Sequence, residues 1–129
     1  FNVVGALFFG LGAAETSAQP PITRPVIAPP SGPTAQYGKY LVTIAGCGTC
    51  HGDDLGGRVP RLPGPPAAPN IKAIVSTWPE DGFVRTFRTG VDPANHTVLP
   101  QMPWRTVGNF ASDDDLRAIY AYLRTLSPQ

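Results

Sequence analysis

Two cysteines and a histidine stand together in one short stretch, Cys47-Gly48-Thr49-Cys50-His51, of a chain of 129 residues. Cys-x-x-Cys-His is the pattern by which haem is attached covalently: two thiols add to the two vinyl groups, and the adjacent imidazole binds the iron. Gly48 and Thr49 are small, so the backbone between the cysteines can pass close to a flat ligand. The stretch therefore predicts one covalent haem c, with iron as the metal and His51 as a ligand.

Other kinds of site also use a Cys-x-x-Cys pair, namely thiol-disulfide exchange sites, zinc sites and simple disulfides. A structural zinc site needs four ligands, and besides the two thiols the chain offers only His51 and His96. A thioredoxin-like site accompanies a βαβ pattern, which is not visible in this sequence. Haem attachment explains more of the motif than these alternatives do.

The motif resembles the haem-binding segment of class I cytochromes c, and the only methionine extends that resemblance. Met102 is followed by Pro103 in a loop before the last predicted helix, similar to the loop that supplies the distal ligand in that family. The resemblance implies that His51 and Met102 bind the iron, which raises its potential and fills both axial positions. It implies an electron carrier rather than an enzyme, with no small-molecule substrate. The alternatives are a haem enzyme or gas sensor in which Met102 is displaceable, His96 as a rival ligand, and Met102 as core filler.

Two further site residues, Pro60 and Trp78, are predicted around the haem. Residues 60–64, Pro-Arg-Leu-Pro-Gly, resemble a segment of the family in which a proline carbonyl accepts a hydrogen bond from the proximal imidazole. The resemblance assigns that role to Pro60. Trp78, Arg85 and Arg88 are candidate donors to the haem propionates, although a core tryptophan and solvated arginines explain the same residues.

Three amphipathic helices are predicted to position this site. Their apolar or capping residues are Tyr37, Tyr40, Leu41 and Ile44 in the first, Pro79, Phe83 and Phe87 in the second, and Ser112, Leu116, Ile119, Tyr120 and Leu123 in the last. The resemblance implies that Gly38 lets the first and last helices cross closely. We therefore expect an all-α cytochrome c fold over residues 34–129, with three to four short helices and long loops around one haem.

Two segments precede this predicted domain. Residues 1–18 are largely apolar and resemble a signal peptide or a membrane anchor, although residues 1–14 are shorter than the roughly 20 needed to span a bilayer. Since Phe1 rather than Met opens this segment, we expect further residues before it. An apolar arm packed on a partner protein is the alternative. Residues 19–33 contain six prolines and predict an extended, semi-rigid tether.

The partners are expected to be proteins that donate and accept electrons, in a respiratory or photosynthetic chain. The formal net charge of +1 gives no reason to expect nucleic acid binding. Residues 35–127 resemble the cytochrome c subunits of membrane-bound dehydrogenases, but with one haem motif where many such subunits have three. This favours a single-haem relay or a membrane-tethered carrier. Haem attachment and the thiol chemistry that it requires predict a periplasmic or other extracytoplasmic location, and the N-terminal segment predicts anchoring to the membrane.

Overall fold

The computed structural model describes residues 23, 25, 27–59 and 67–128. Within them the chain forms six helices and no strand longer than an isolated β-bridge. The helices are α1 (Ala35–Ile44), α2 (Cys47–His51), α3 (Ile71–Thr77), α4 (Glu80–Thr89), α5 (Trp104–Phe110) and α6 (Asp113–Arg124). The predicted all-α fold is confirmed, but the described helices outnumber the expected three to four. The unexpected ones, α2, α3 and α5, have five or seven residues and are too short to show a clear apolar period.

Capping side chains mark the starts of α1 and α6, the two helices that pack against each other. The hydroxyl of Thr34 accepts a hydrogen bond from the Tyr37 N–H at the start of α1. At the start of α6, Ser112 and Asp115 form a capping box, in which each side chain accepts from the backbone N–H of the other residue. These reciprocal bonds satisfy donors that a helix start otherwise leaves unpaired.

The crossing of α1 and α6 depends on Gly38, which is buried. A Cβ atom at this position would overlap the carbonyl oxygen of Ala118 in the backbone of α6. Because neither backbone can yield without moving a helix, only glycine permits this separation. The role that the family resemblance implies for Gly38 is therefore confirmed.

A small apolar core lies beneath this crossing and extends to α3 and α4. Its buried members are Val42, Leu55, Val75, Phe83, Ile119 and Leu123. The hydroxyl of Tyr120 in α6 donates to the carbonyl of Trp78, 2.9 Å away, and so fixes the turn between α3 and α4. The core residues of α1, α3, α4 and α6 also form walls of a large cavity, described below.

The predicted N-terminal segment, residues 1–18, lies outside the described residues, as does most of the predicted tether over residues 19–33. Among the helices that the structure describes, none has the length and apolar character required to cross a membrane.

Candidate functional site

Helix α2 is the Cys-x-x-Cys-His stretch itself, and it forms a single helical turn between two glycines. Gly46 precedes it with φ 67° and Gly52 follows it with φ 84°, so the chain enters and leaves the turn through left-handed or otherwise strained backbone. Residues three and four apart share one face of a helix, so Cys47 lies on the same face as Cys50 and His51. All three residues line one cavity, and neither cysteine is in a disulfide.

The imidazole of His51 is buried, and its Nδ1 lies 2.9 Å from the carbonyl oxygen of Pro69. A carbonyl can only accept, so Nδ1 must carry the proton and donate. This leaves the lone pair on Nε2 of the neutral ring, which is the form that binds a metal. The contact therefore determines both the tautomer and the orientation of the predicted proximal ligand.

The residue that accepts this hydrogen bond is not the one predicted. The family resemblance assigned the role to Pro60, which lies outside the described residues, whereas the structure places the carbonyl of Pro69 against the ring. Arg58 and Ala68 exchange two backbone hydrogen bonds of 2.9 Å, which bring Pro69 back beside α2. A usable sequence signal was Asn70, a residue type that favours helix N-caps and here caps α3, directly after a proline.

Met102 lines the same cavity as His51, Cys47 and Cys50 and is half-buried. Its backbone N–H donates to the carbonyl of Leu99 over 3.0 Å, and its carbonyl accepts from the Trp104 N–H over 2.8 Å. The methionine is thus held in a tight turn directly before α5. The structure brings together the four residues predicted to hold a haem and its iron.

The cavity has a volume of about 530 Å³, within the range typical of sites that bind small molecules or cofactors. Much of its wall is apolar, including Val42, Ile74, Val75, Phe83, Ile119 and Leu123. A largely apolar cavity with two thiols, one imidazole and one thioether suits a flat apolar macrocycle that carries iron, since nitrogen and sulfur atoms are the usual axial ligands of haem. The residues present therefore fit haem c.

The ionisation of Cys47 agrees with attachment rather than thiol-disulfide exchange. Burial raises the pKa of the Cys47 thiol above its ordinary value. Redox-active Cys-x-x-Cys sites depend on a lowered pKa, because the thiolate is the attacking species. A backbone hydrogen bond lowers the pKa of this thiol but is outweighed by burial, and an uncharged thiol is compatible with the apolar wall.

The three candidate donors to the haem propionates lie in different places relative to the cavity. Trp78 is half-buried and lines the cavity, as predicted for a residue that contacts the cofactor. Arg85 is exposed and does not line it. Arg88 turns away to the junction of α5 and α6, where it donates to the carbonyls of Gly108 and Ala111 and pairs with Asp113 at 2.7 Å. The proposed propionate role of Arg88 is wrong, because these acceptors already bind its guanidinium.

Two charged residues of the cavity wall were missed from the sequence, Arg58 and Asp92. The guanidinium of Arg58 donates to the carbonyl of Thr49, inside the haem motif, over 3.2 Å. Asp92 accepts from the backbone N–H of His96, which lowers the pKa of the Asp92 carboxyl. Neither residue stands in a recognisable motif, so only the folded chain shows that they face the site.

His96, the rival iron ligand, also borders the cavity but is held by Asp92. Its Nδ1 lies 3.1 Å from Oδ2 of that carboxylate, and its side chain is 78% exposed. Met102, in contrast, is half-buried. Burial therefore favours Met102 over His96 as the second ligand.

The helices, the motif and the cavity define a small c-type haem protein. A family model described as Cytochrome c matches residues 35–127, which is most of the chain, and the chain belongs to the cytochrome c family. No curated protein and no solved structure matches it. Members of this family bind haem c covalently and use it to transfer electrons, so Cys47, Cys50 and His51 form the haem attachment motif.

Proposed function

We propose that this protein carries single electrons through a haem c whose iron is bound by His51 and Met102. The observation that carries the proposal is that both side chains line one cavity together with Cys47 and Cys50. The hydrogen bond to Pro69 leaves Nε2 of His51 for the metal. An imidazole and a thioether at the iron would occupy the ligand positions that haem leaves open, so no vacancy would remain for a substrate.

The bound haem supplies an iron that takes up and releases one electron. The protein residues hold it, orient its ligands and exclude water from it. Cys47 and Cys50 attach the cofactor, and the hydrogen bond between His51 and Pro69 keeps the imidazole from rotating. The apolar wall formed by Val42, Val75 and its neighbours disfavours additional charge on the iron, which favours the reduced state.

The N-terminal residues suggest that the haem domain works beside a membrane. Residues 1–18 supply an apolar anchor and residues 19–33 a proline-rich tether, on the extracytoplasmic side. A tether raises the effective concentration of the domain near its partner, so no strongly charged docking face is required. The net charge of +1 is consistent with such a carrier. The resemblance to dehydrogenase subunits makes a membrane-bound redox complex the proposed partner.

The axial ligation is tested with the holoprotein and two variants, Met102→Ala and His96→Gln. With methionine as the ligand, the oxidised wild type shows the weak far-red sulfur-to-iron absorption band, and Met102→Ala abolishes it. The variant should also have a lower reduction potential and bind carbon monoxide in the reduced state, because one axial position is free.

The second variant and the wild type separate the alternatives. His96→Gln should keep the wild-type band and potential. A wild type that lacks the band, with a potential that changes in His96→Gln but not in Met102→Ala, would assign the ligand to His96. Ready binding of carbon monoxide by the reduced wild type would instead support a haem enzyme or gas sensor with a displaceable ligand.

A further inference from the structure

Two glycines allow α5 to approach α4 unusually closely. A Cβ atom at Gly108 in α5 would overlap the carbonyl oxygen of Phe87 in α4. A Cβ atom at Gly90, the residue that ends α4, would overlap the indole ring of Trp104. We call these four residues, Phe87, Gly90, Trp104 and Gly108, the α4–α5 seam. Both of its glycines are buried.

A cation reinforces the seam from the α4 side. The guanidinium of Arg88 donates to the carbonyls of Gly108 and Ala111 and pairs with Asp113. Those acceptors are at the end of α5 and the start of α6. The C-terminal end of α5 is thereby attached to α4 by hydrogen bonds, while its N-terminal end is held by the contact between Trp104 and Gly90.

Met102 is directly coupled to the N-terminal end of α5. Its carbonyl accepts the N–H of Trp104 over 2.8 Å, and only Pro103 lies between the two residues. The ring of Pro103 fixes its φ, so the link between the two residues is stiff. A displacement of Trp104 is therefore transmitted to Met102.

The loop that leads to Met102 returns to the same seam. The N–H of Val98 donates to the carbonyl of Gly90 over 2.8 Å, and Val91 pairs with Thr97 in a β-bridge. The carbonyl of Gly90 thus holds the loop, and the Trp104 ring packs against the Cα atom of the same residue. The connections of Met102 through the loop and through α5 both lead to the end of α4.

We propose that Gly90, Trp104 and Gly108 are positioning residues for the distal ligand: the α4–α5 seam sets where the Met102 sulfur lies in the cavity. The inference rests on the proposed ligation of iron by Met102. The proximal side is held separately, by α2 and the Pro69 carbonyl. Loosening the seam therefore weakens the methionine–iron bond while the haem stays attached through the cysteines.

The test uses holoprotein carrying Gly108→Ala, which forces α5 away from α4, and Trp104→Ala, which removes a ring that packs on Gly90 and also lines the cavity. The second variant keeps the test valid if the first does not fold. Both should weaken or lose the far-red band, lower the reduction potential and gain carbon monoxide binding, with covalent haem content unchanged. Asn109→Ala, at an exposed position of the same helix, should retain all wild-type values.

Two further variants in the same series show which proposal fails. Gly38→Ala introduces the same kind of backbone overlap at the crossing of α1 and α6, so it should lower stability and retain the band. If Gly38→Ala loses the band as readily as Gly108→Ala, general loosening explains the effect and the seam inference is wrong. The inference also fails if Met102→Ala loses the band and both seam variants keep it. An unchanged band in Met102→Ala overturns the proposed ligation and the seam inference together.

Discussion

Nδ1 of His51 lies 2.9 Å from the carbonyl oxygen of Pro69, a residue 18 positions further along the chain. The contact is maintained by backbone pairing on both sides of the intervening loop: Arg58 pairs with Ala68, and the Ile71 N–H donates to Leu55 over 3.2 Å. The orientation of the proximal ligand thus depends on how residues 55–58 pair with residues 68–71.

Replacing residues 60–66 with Asn-Gly should therefore leave the haem site intact. The paired residues Arg58 and Ala68 remain, and a short turn between them lowers the entropic cost of closing the loop. We expect covalent haem attachment and a reduction potential equal to that of the wild type, measured on purified holoprotein. A clear shift in potential would show that residues 60–66 also contribute to the haem site.

Gly38→Ala should destabilise the fold more than an ordinary surface substitution does. The added Cβ would overlap the Ala118 carbonyl, and overpacking of this kind costs about 1–3 kcal/mol. Denaturant unfolding of the holoprotein measures the loss. Lys39→Ala, at the exposed neighbouring position of α1, should remain within about 0.5 kcal/mol of the wild type. Equal stability of the two variants would mean that the helices can separate at little cost.

Acid should remove a contribution to stability that comes from Asp92. The hydrogen bond from the His96 N–H lowers the pKa of this carboxyl below its ordinary value of 3.8. Since the folded state holds the proton less tightly than the unfolded state, the contribution is complete above the ordinary value. It is lost as the pH falls through the lower folded-state pKa.

Asp92→Asn makes this prediction measurable. Its deficit in unfolding free energy relative to the wild type should be present at neutral pH and shrink as the pH falls below about 4. Asp53→Asn removes the same charge from an exposed position and serves as the control. A deficit that does not change with pH would show that the carboxylate charge of Asp92 has no part in it.

Deleting residues 1–33 should change where the haem domain is located and leave its redox properties unchanged. The described helices begin at Ala35, so the haem spectrum and potential should be unchanged. The truncated domain should move to the soluble periplasmic fraction and deliver electrons more slowly at low protein concentration, because the tether no longer raises its effective concentration. If it stays in the membrane with undiminished turnover, the haem domain docks through its own surface and the anchor proposal is wrong.

The features that the sequence predicted correctly depend on residues close together in the chain. The Cys-x-x-Cys-His stretch places three reactive groups on one helical turn, because residues three and four apart share a face. The predicted cap at Ser112 likewise bonds within three residues of itself. The close approach at Gly38 is not local, and it was available only through the resemblance to a family.

The tertiary structure decided which groups meet across long separations. Every residue carries a carbonyl, so apart from the helix-capping Asn70 that follows it, nothing in residue type distinguished Pro69 from Pro60 as the partner of His51. Arg88 could have reached the haem or a helix end, and the path of the chain placed it at the junction of α5 and α6. The seam that holds Met102 is equally non-local, because it exists only once α5 packs on α4 and a glycine on each side allows the contact.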